Sequence, residues 1–439
     1  MKRNIMWFRR DLRLADNPAL LTAIENADEI VPLFILDPNL IKQAGNKRLT
    51  YLANSLRALN ESLEGRLHVI AGDQVEVLKS FNPHEVHISK EFEPYGAARD
   101  KRVLDSGINL IETGSPYAVA PGRVRKPDDT NYRVYTPFYK GWMAHGWRGP
   151  VAAPKEINAI KPKKSEQQIP EWTCEFEIPK AGEAAALERF NWFKKNALDS
   201  YDEMRNMADT DGTSRMSAHL KFGEVHPRTL LYGLNNSKAH DTFRKEIAWR
   251  EFYADVLFHN PHTIDEYYVE KFANMRYEEP GENFKAWCEG RTGYPFVDAA
   301  MRQLINTGWM HNRTRMVVAS FLVKDLHIEW QYGANFFMEH LVDYDPASNS
   351  HGWQWTAGCG TDASPYYRVF NPIEQGRKFD PNGDYIRKYI PELRDVPNDL
   401  IHEPGLSYIA PIVDHKVERV EALARLEEIK ETKPIFPNS

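Results

Sequence analysis

Five short apolar runs are spaced through the first 130 residues: NIMWF (4–8), IVPLFIL (30–36), LHVIAG (67–72), EVHIS (85–89) and INLIE (108–112). Runs this short and this continuously apolar suit strands buried on both faces. Between them, NPALLTAIENA and LTYLANSLRALNESL carry the spacing of helices. Strands that alternate with helices pair in parallel, because a crossover helix returns the chain to the same end of the sheet. The alternation predicts an α/β domain over 1–130, with a Rossmann-like, doubly wound parallel sheet. Such sheets gather ligands at the carboxyl ends of their strands. No G-x-G-x-x-G follows the first run and there is no P-loop, so an ordinary dinucleotide or nucleoside-triphosphate site lacks support.

A second kind of chain follows. Residues 131–181 predict a linker, because Gly149 to Lys180 is rich in Pro, Lys and Glu with little periodicity. Residues 182–439 predict an all-α domain. Ala186, Phe190, Phe193, Ala197 and Tyr201 fall on one helix face, and helical patterns recur in FRKEIAWREFYADVLFH, YPFVDAAMRQLINT and TRMVVASFLVKDLHIEWQY. A chain of 439 residues exceeds what one core normally serves, in agreement with two domains.

Composition narrows the function. No run of about 18 apolar residues exists for a membrane span, and Arg9, Arg10 and Asp11 come too early for a signal peptide. Cys174, Cys288 and Cys359 are too few and too scattered for a disulfide framework or a zinc site, which points to a reduced, cytoplasmic protein. The net charge of −6 argues against non-specific nucleic-acid binding but leaves room for a local basic patch.

Four constellations carry candidate chemistry. Gly212-Thr213-Ser214 leads into SRMSAHLKF, which suits a phosphate site at a helix start or a plain N-cap. Glu246, Trp249 and Tyr253, with Arg250 beside them, share a helix face that lines a cavity for a flat ligand or packs as core. Trp309, Asn312, Arg313, Arg315 and Met316 precede an apolar helix; Arg313 and Arg315 reach a phosphate, DNA or a buried carboxylate, or sit in a solvated first turn. Asp343, Asp345 and Asn349 lead to Trp353 and Trp355, then to Arg368, Gln375, Arg377 and Lys378, a basic rim beside aromatics. HEVH at 84–87 falls one residue short of the zinc-binding H-E-x-x-H, so no metal is expected.

The order of these segments resembles the photolyase/cryptochrome family, and specifically bacterial class I cyclobutane pyrimidine dimer photolyases. The likeness runs from MWFRRDLRLADNPAL through TSRMSAHLKFGEV, AWREFY, TGYPFVDAAMRQL and TGWMHNRTRM to GWQWTAGCGTD and FNPIEQGRKFD. It implies FAD in the helical domain and light-driven repair of ultraviolet-damaged DNA, by electron transfer from excited FADH⁻ to a flipped dimer. The alternative it leaves is a cryptochrome-type blue-light photoreceptor without repair activity.

The resemblance assigns residues. Tyr201, Thr213, Ser214, Arg215, Met216 and Ser217 match the segment holding the FAD phosphates and ribityl chain. Phe243, Arg250, Trp309 and Tyr344 match further cofactor positions. Asp343 and Asp345 match the acids at the isoalloxazine and adenine side, Arg315 pairs near the ring, and Asn349 faces flavin N5. Trp249 and Trp355 resemble the walls of the lesion pocket; Glu246, Asn312 and Met316 complete it, and Arg205, Arg250, Tyr253, Arg313, Arg368 and Gln375 hold the strand. Trp353, Trp330 and Tyr277 match an electron relay, with Tyr277 standing where the family has an outer Trp. Relatives that repair (6-4) products carry a His pair where this chain has Asn312 and Met316.

An antenna chromophore is expected in the α/β domain near Phe34, Leu36, Asp37 and Arg48. FILDP and EFEPYGAARD resemble stretches of deazaflavin-binding members of the family, a resemblance that implies 8-hydroxy-5-deazaflavin rather than FMN, and Tyr95-Gly96, where folate-binding relatives have Asn-Glu, disfavours methenyltetrahydrofolate. The expected protein is a monomer without an obligate protein partner. It ends in one helix and a short tail.

Overall fold

The computed structural model describes residues 2–362 and 367–431. The tail expected at the C-terminus lies outside the described residues. The chain divides into two compact units: Met1–Asp202, Thr213–Pro261 and Val342–Asp345 form the first, and Glu203–Gly212, His262–Leu341 and Pro346–Ser439 the second.

In the first unit, the five apolar runs become β1 (Arg3–Phe8), β2 (Glu29–Leu36), β3 (His68–Ala71), β4 (Glu85–Ile88) and β5 (Leu110–Glu112). They form one parallel sheet of order β3-β2-β1-β4-β5. Successive side chains of a strand point to opposite faces. Met6 and Phe8 accordingly pack with Ile30, Phe34, Tyr51 and Leu56, while Ile5 and Trp7 pack with Val31, Leu33, Val86 and Val103. Both faces are therefore covered, which is why the runs read as continuous apolar stretches rather than alternating ones. Truncating a residue as buried as Leu56 to Ala would cost about 2–5 kcal/mol.

The connection after β5 is stitched to the sheet. Ile30 N–H donates to Asn158 O at 2.9 Å, Ile160 N–H to Ile30 O at 2.9 Å, and Gln168 N–H to Val69 O at 3.0 Å. Helix Glu183–Asn196 then buries Ala186, Phe190 and Phe193, the face expected from their spacing. The long helix Lys238–His259 is capped by Ser237, whose side chain accepts from His240 N–H.

The second unit is helical. TRMVVASFLVKDLHIEWQY reads as one helical pattern but folds as two helices, Asn312–Lys324 and Trp330–His340. The break falls at DLHIE, where His327 adopts a left-handed φ of 54° that few non-glycine residues tolerate. Glu329 becomes the N-cap of the second helix and Trp330 its first residue. The polar run around Trp353 carries no apolar period, yet it forms helix Pro346–Ala357. Among the described residues no helix is long and apolar enough to cross a membrane.

Candidate functional site

The doubly wound sheet reverses its winding between β1 and β4, where such folds open a ligand crevice. Here paired charges fill that place. Arg9, leaving β1, donates to Asp100 at 2.6 Å and to the carbonyl of Ser89. Arg10 pairs with Glu93 and, at 2.7 Å, with Asp345. Burial works against the Arg10 charge, but Glu93 and Asp345 hold its pKa well above the ordinary value. Lys221 completes the cluster, its pKa lowered by burial and by Arg10.

The antenna candidates sit one strand away, at the carboxyl end of β2. Phe34 and Leu36 are buried in the strand. Asp37 accepts from Asn39 N–H at 2.9 Å and from the Tyr95 hydroxyl at 2.6 Å. Arg48 donates to Gln43 O at 3.0 Å and lies 5.1 Å over the Tyr344 ring; burial pushes its pKa down to about 10.

The Thr213–Ser217 segment bends rather than capping a helix with its hydroxyls. Arg189 fixes it by donating to the carbonyls of Thr213 (2.6 Å) and Ser214 (3.1 Å), and Arg215 takes a φ of 56°. The helix that follows, Ser217–Phe222, has Met216 as N-cap and no side-chain cap. Ser217 is exposed, and Thr213 and Ser214 are half-buried. Hydroxyls and uncapped N–H groups at one bend are the donor set a polyphosphate requires. Tyr201 and Phe243 pack edge to face at 5.5 Å, and Phe243 is fully buried against Phe190 and Phe193.

On helix Lys238–His259, Glu246, Trp249 and Tyr253 are all half-buried. Trp249 lies flat on Tyr135, with ring centroids 3.7 Å apart and planes 6° from parallel. Arg250 is committed to the backbone, donating to Pro116 O at 3.1 Å and Leu220 O at 3.4 Å. Next to it, Glu251 accepts from Ala118 N–H, Val119 N–H and the Trp142 indole; burial pushes its pKa up. Neither Tyr135 nor Glu251 stands out in the sequence.

In the second unit, Trp353 and Trp355 are two residues apart on one helix, hence about 200° apart around it. Trp353 is buried against Phe337 (5.0 Å) and Trp287 (6.2 Å). Trp355 is half-buried and donates from Nε1 to Asp362 O at 3.1 Å. One turn before Trp353, Asn349 donates to Ala334 O at 3.1 Å, which fixes its amide and leaves its oxygen as an acceptor.

Trp330 is buried too, and its ring neighbour is Tyr267, 6.2 Å away edge to face. Tyr277 stacks beyond, 6.4 Å from Tyr267. The expected relay residues thus come with one additional ring between Trp330 and Tyr277.

The basic candidates differ in their commitments. Arg313 donates to Asn206 Oδ1 at 2.7 Å and lies 4.4 Å over Phe379. Arg315 donates to Met310 O at 2.9 Å. Asn312 and Arg368 are exposed, while Arg205, Trp309, Met316 and Gln375 are half-buried. Arg377 is paired with Glu374 and Glu403. Lys324 was not legible as a site residue: it donates to Arg368 O at 2.6 Å, and burial pushes its pKa down to about 7. Among the described residues no three His, Cys, Asp or Glu side chains gather as a metal would require.

Comparison with known proteins bears on all of these residues together. Residues 4–158 match the model of the DNA photolyase family, and residues 243–428 match that of the FAD binding domain of DNA photolyase. The deoxyribodipyrimidine photo-lyase of Agrobacterium fabrum is 37% identical, over 98% of this chain and 98% of its own. A bacterial class III photolyase from Agrobacterium tumefaciens superposes with a TM-score of 0.91 at 36% identity, covering 98% of each chain. An archaeal photolyase from Sulfolobus tokodaii, solved with two FAD molecules, gives 0.86 at 30% identity, covering 97% of this chain and 100% of that one. The expected class I designation does not follow, since a neighbour this similar belongs to class III. With the parallel sheet, the helical unit, both family models and a relative matched over 98% of this chain in agreement, the chain belongs to the DNA photolyase family.

Proposed function

We propose that this protein repairs cyclobutane pyrimidine dimers in DNA with blue light, as a deoxyribodipyrimidine photo-lyase that carries FAD. The observation that carries the reading is the division of labour between Trp353 and Trp355. One helix turns the first into buried aromatic packing, suited to electron transfer, and leaves the second half-open, suited to stacking a base.

FAD, when bound in its fully reduced form, would supply the light-driven electron-transfer chemistry that opens the cyclobutane ring. The chain's part is to hold, orient and exclude water. Tyr201, Thr213 to Ser217, Phe243, Arg250, Trp309, Arg315, Asp343, Tyr344, Asp345 and Asn349 are assigned to FAD. The donor set at the Thr213–Ser217 bend supports its assignment to the phosphates, and the fixed Asn349 amide supports its place beside the ring.

Trp249 and Trp355 are assigned the stacking of the flipped dimer. Glu246 would hold a pyrimidine edge, and Asn312 and Met316 are likewise assigned to the lesion. A dimer has already lost normal stacking and pairing, so extruding it costs less than extruding a sound base. Asn312 and Met316 cannot act as acids, which favours cyclobutane dimers over (6-4) products. Arg205, Arg250, Tyr253, Arg313, Arg368 and Gln375 are assigned to the DNA strand, and Trp353, Trp330 and Tyr277 to the relay.

Residues 1–130 are read as the antenna domain, 131–181 as the linker and 182–439 as the FAD domain. A second chromophore, 8-hydroxy-5-deazaflavin rather than FMN or methenyltetrahydrofolate, is assigned to Phe34, Leu36, Asp37 and Arg48. The second FAD in the Sulfolobus tokodaii protein supports the idea of an additional chromophore, without specifying which. All three cysteines are free, which supports a reducing, cytoplasmic setting, and the protein is read as a monomer.

The test is repair itself. The reduced protein is mixed with a thymine oligonucleotide carrying cyclobutane dimers and illuminated with blue light. Thymine absorbance is expected to recover in the light and not in the dark. No recovery from fully reduced, flavin-loaded protein would move the reading to a cryptochrome-type photoreceptor.

A further inference from the structure

The buried rings of the second unit differ in one chemical respect. The indole N–H groups of Trp353 and Trp330 meet no acceptor among the described residues. An oxidised indole so placed keeps its proton and remains a cation, from which the hole can move on. Tyr267, in ring contact with Trp330 at 6.2 Å, is different: its hydroxyl donates to the Glu329 carboxylate at 2.9 Å. Tyr277, one ring further out, is hydrogen-bonded to the Tyr267 hydroxyl and donates to the backbone carbonyl of Phe272 at 3.2 Å, so the Glu329 carboxylate is bonded to Tyr267 and not to Tyr277.

We propose that Tyr267 is the residue on which the relay hole is trapped, passing its electron to oxidised Trp330 and its phenolic proton to Glu329. The inference rests on the reading of Trp330 as a relay member, and it moves the end of the relay from Tyr277 to Tyr267. The step balances: the Trp330 radical cation returns to neutral Trp, Tyr267 becomes a neutral phenoxyl radical, and the Glu329 carboxylate becomes a carboxylic acid. The oxidant is the Trp330 cation; FAD held by the chain would, when excited, supply that oxidising equivalent by way of Trp353.

Local geometry supports each part. The helix break at His327 puts Glu329 at the N-cap of Trp330–His340, so base and electron acceptor are consecutive residues. The Glu329 side chain makes no cap bond and is half-buried, so a proton placed on it has a way to solvent. Burial, with Tyr277 and Glu329 nearby, pushes the Tyr267 pKa far up. The phenol is therefore intact before oxidation, and a neutral radical forms on it only when its proton also leaves, for which the Glu329 carboxylate is in hydrogen-bond reach. Gln354 fixes the loop bearing Tyr267: its Oε1 accepts from Tyr268 N–H at 2.8 Å, and its Nε2 donates to the carbonyls of Thr263 (2.9 Å) and Glu266 (3.2 Å).

The test is transient absorption and electron paramagnetic resonance on the full-length, flavin-loaded, oxidised protein, flashed with blue light in H2O and D2O. The wild type should form a neutral tyrosyl radical, and its Trp cation should decay more slowly in D2O. Tyr267→Phe should lose the tyrosyl signal and the isotope effect while keeping the Trp cation. Glu329→Gln, which keeps the ring and an acceptor oxygen but offers no base, should lose the tyrosyl signal as well. Tyr277→Phe should retain it. A tyrosyl radical that survives Tyr267→Phe, or one unaffected by Glu329→Gln, overturns the proposal while leaving the relay standing. Light-driven flavin reduction unchanged in Trp330→Phe overturns the relay reading itself.

Discussion

Gly333 leaves the space that the Trp353 indole occupies. A Cβ added at Gly333 would lie 2.6 Å from Cζ3 of Trp353, closer still to Cη2, and 2.6 Å from Cδ2 of Leu322. Helices Trp330–His340 and Pro346–Ala357 can approach this closely only because residue 333 has no side chain. In an open helix Gly→Ala would stabilise by about 1 kcal/mol. Here the clash falls on a rigid indole, and overpacking costs about 1–3 kcal/mol. Gly333→Ala is expected to lower the urea midpoint and, by displacing Trp353, to slow light-driven flavin reduction. A midpoint equal to or above the wild type would show that the indole moves aside freely.

Tyr135 backs Trp249 across a 3.7 Å stack and is itself anchored, its hydroxyl donating to Lys245 O at 2.8 Å. If Trp249 stacks on the flipped dimer, Tyr135 determines how firmly that ring is held. Trp249→Ala is expected to weaken binding of dimer-containing DNA by about 1–3 kcal/mol. Tyr135→Ala should cost about 0.5–1.5 kcal/mol, the value of an aromatic pair. The double variant should lose less than the sum, since both changes remove one stack. Titration of the labelled oligonucleotide checks this, and full additivity would separate Tyr135 from the pocket.

The five strands were legible because both faces of the sheet are covered, which leaves short, wholly apolar runs. Helix Lys238–His259 was legible from its period. Helix Pro346–Ala357 was not, because its buried residues include Ser350, His351, Gln354 and Thr356 beside Trp353. Three of those polar groups have partners far away in sequence, Ser350 with Ile264 and His351 and Gln354 with Thr263, and no local pattern encodes such a partner. The break at His327 was hidden for a related reason: apolar residues continue on both sides of it. Tyr267 and Tyr135 matter through the rings they touch, a property of tertiary structure alone. Residue roles came from ordered motifs rather than from periodicity.

Arg368 and Arg377 are nine residues apart and both exposed, but differently committed. The Arg377 guanidinium is paired with Glu374 and Glu403, whereas that of Arg368 meets no partner among the described residues. An arginine on a DNA phosphate releases counterions, and its loss lowers the salt slope of log K by about 1. Arg368→Ala is expected to show that reduction in binding measured across a salt series, and Arg377→Ala to show little. Equal slopes in wild type and Arg368→Ala would remove Arg368 from the DNA face.

His351 gives the protein a specific weakness to acid. It is buried in helix Pro346–Ala357, within 3.4 Å of the Thr263 hydroxyl, and burial pushes its pKa from 6.5 down to about 4. Between those values the unfolded chain binds a proton that the folded chain refuses. Folding stability therefore falls as pH drops from 6.5 to 4, by up to about 3 kcal/mol from this group. Other buried histidines, His226 among them, are pushed the same way and add to the trend. Only a comparison of variants isolates His351. His351→Gln, polar but not titrating there, should lose less stability over that window than the wild type in urea unfolding at successive pH values. Parallel pH profiles for the two proteins would mean that the folded state accommodates a charged His351, through water entry or local opening of the helix.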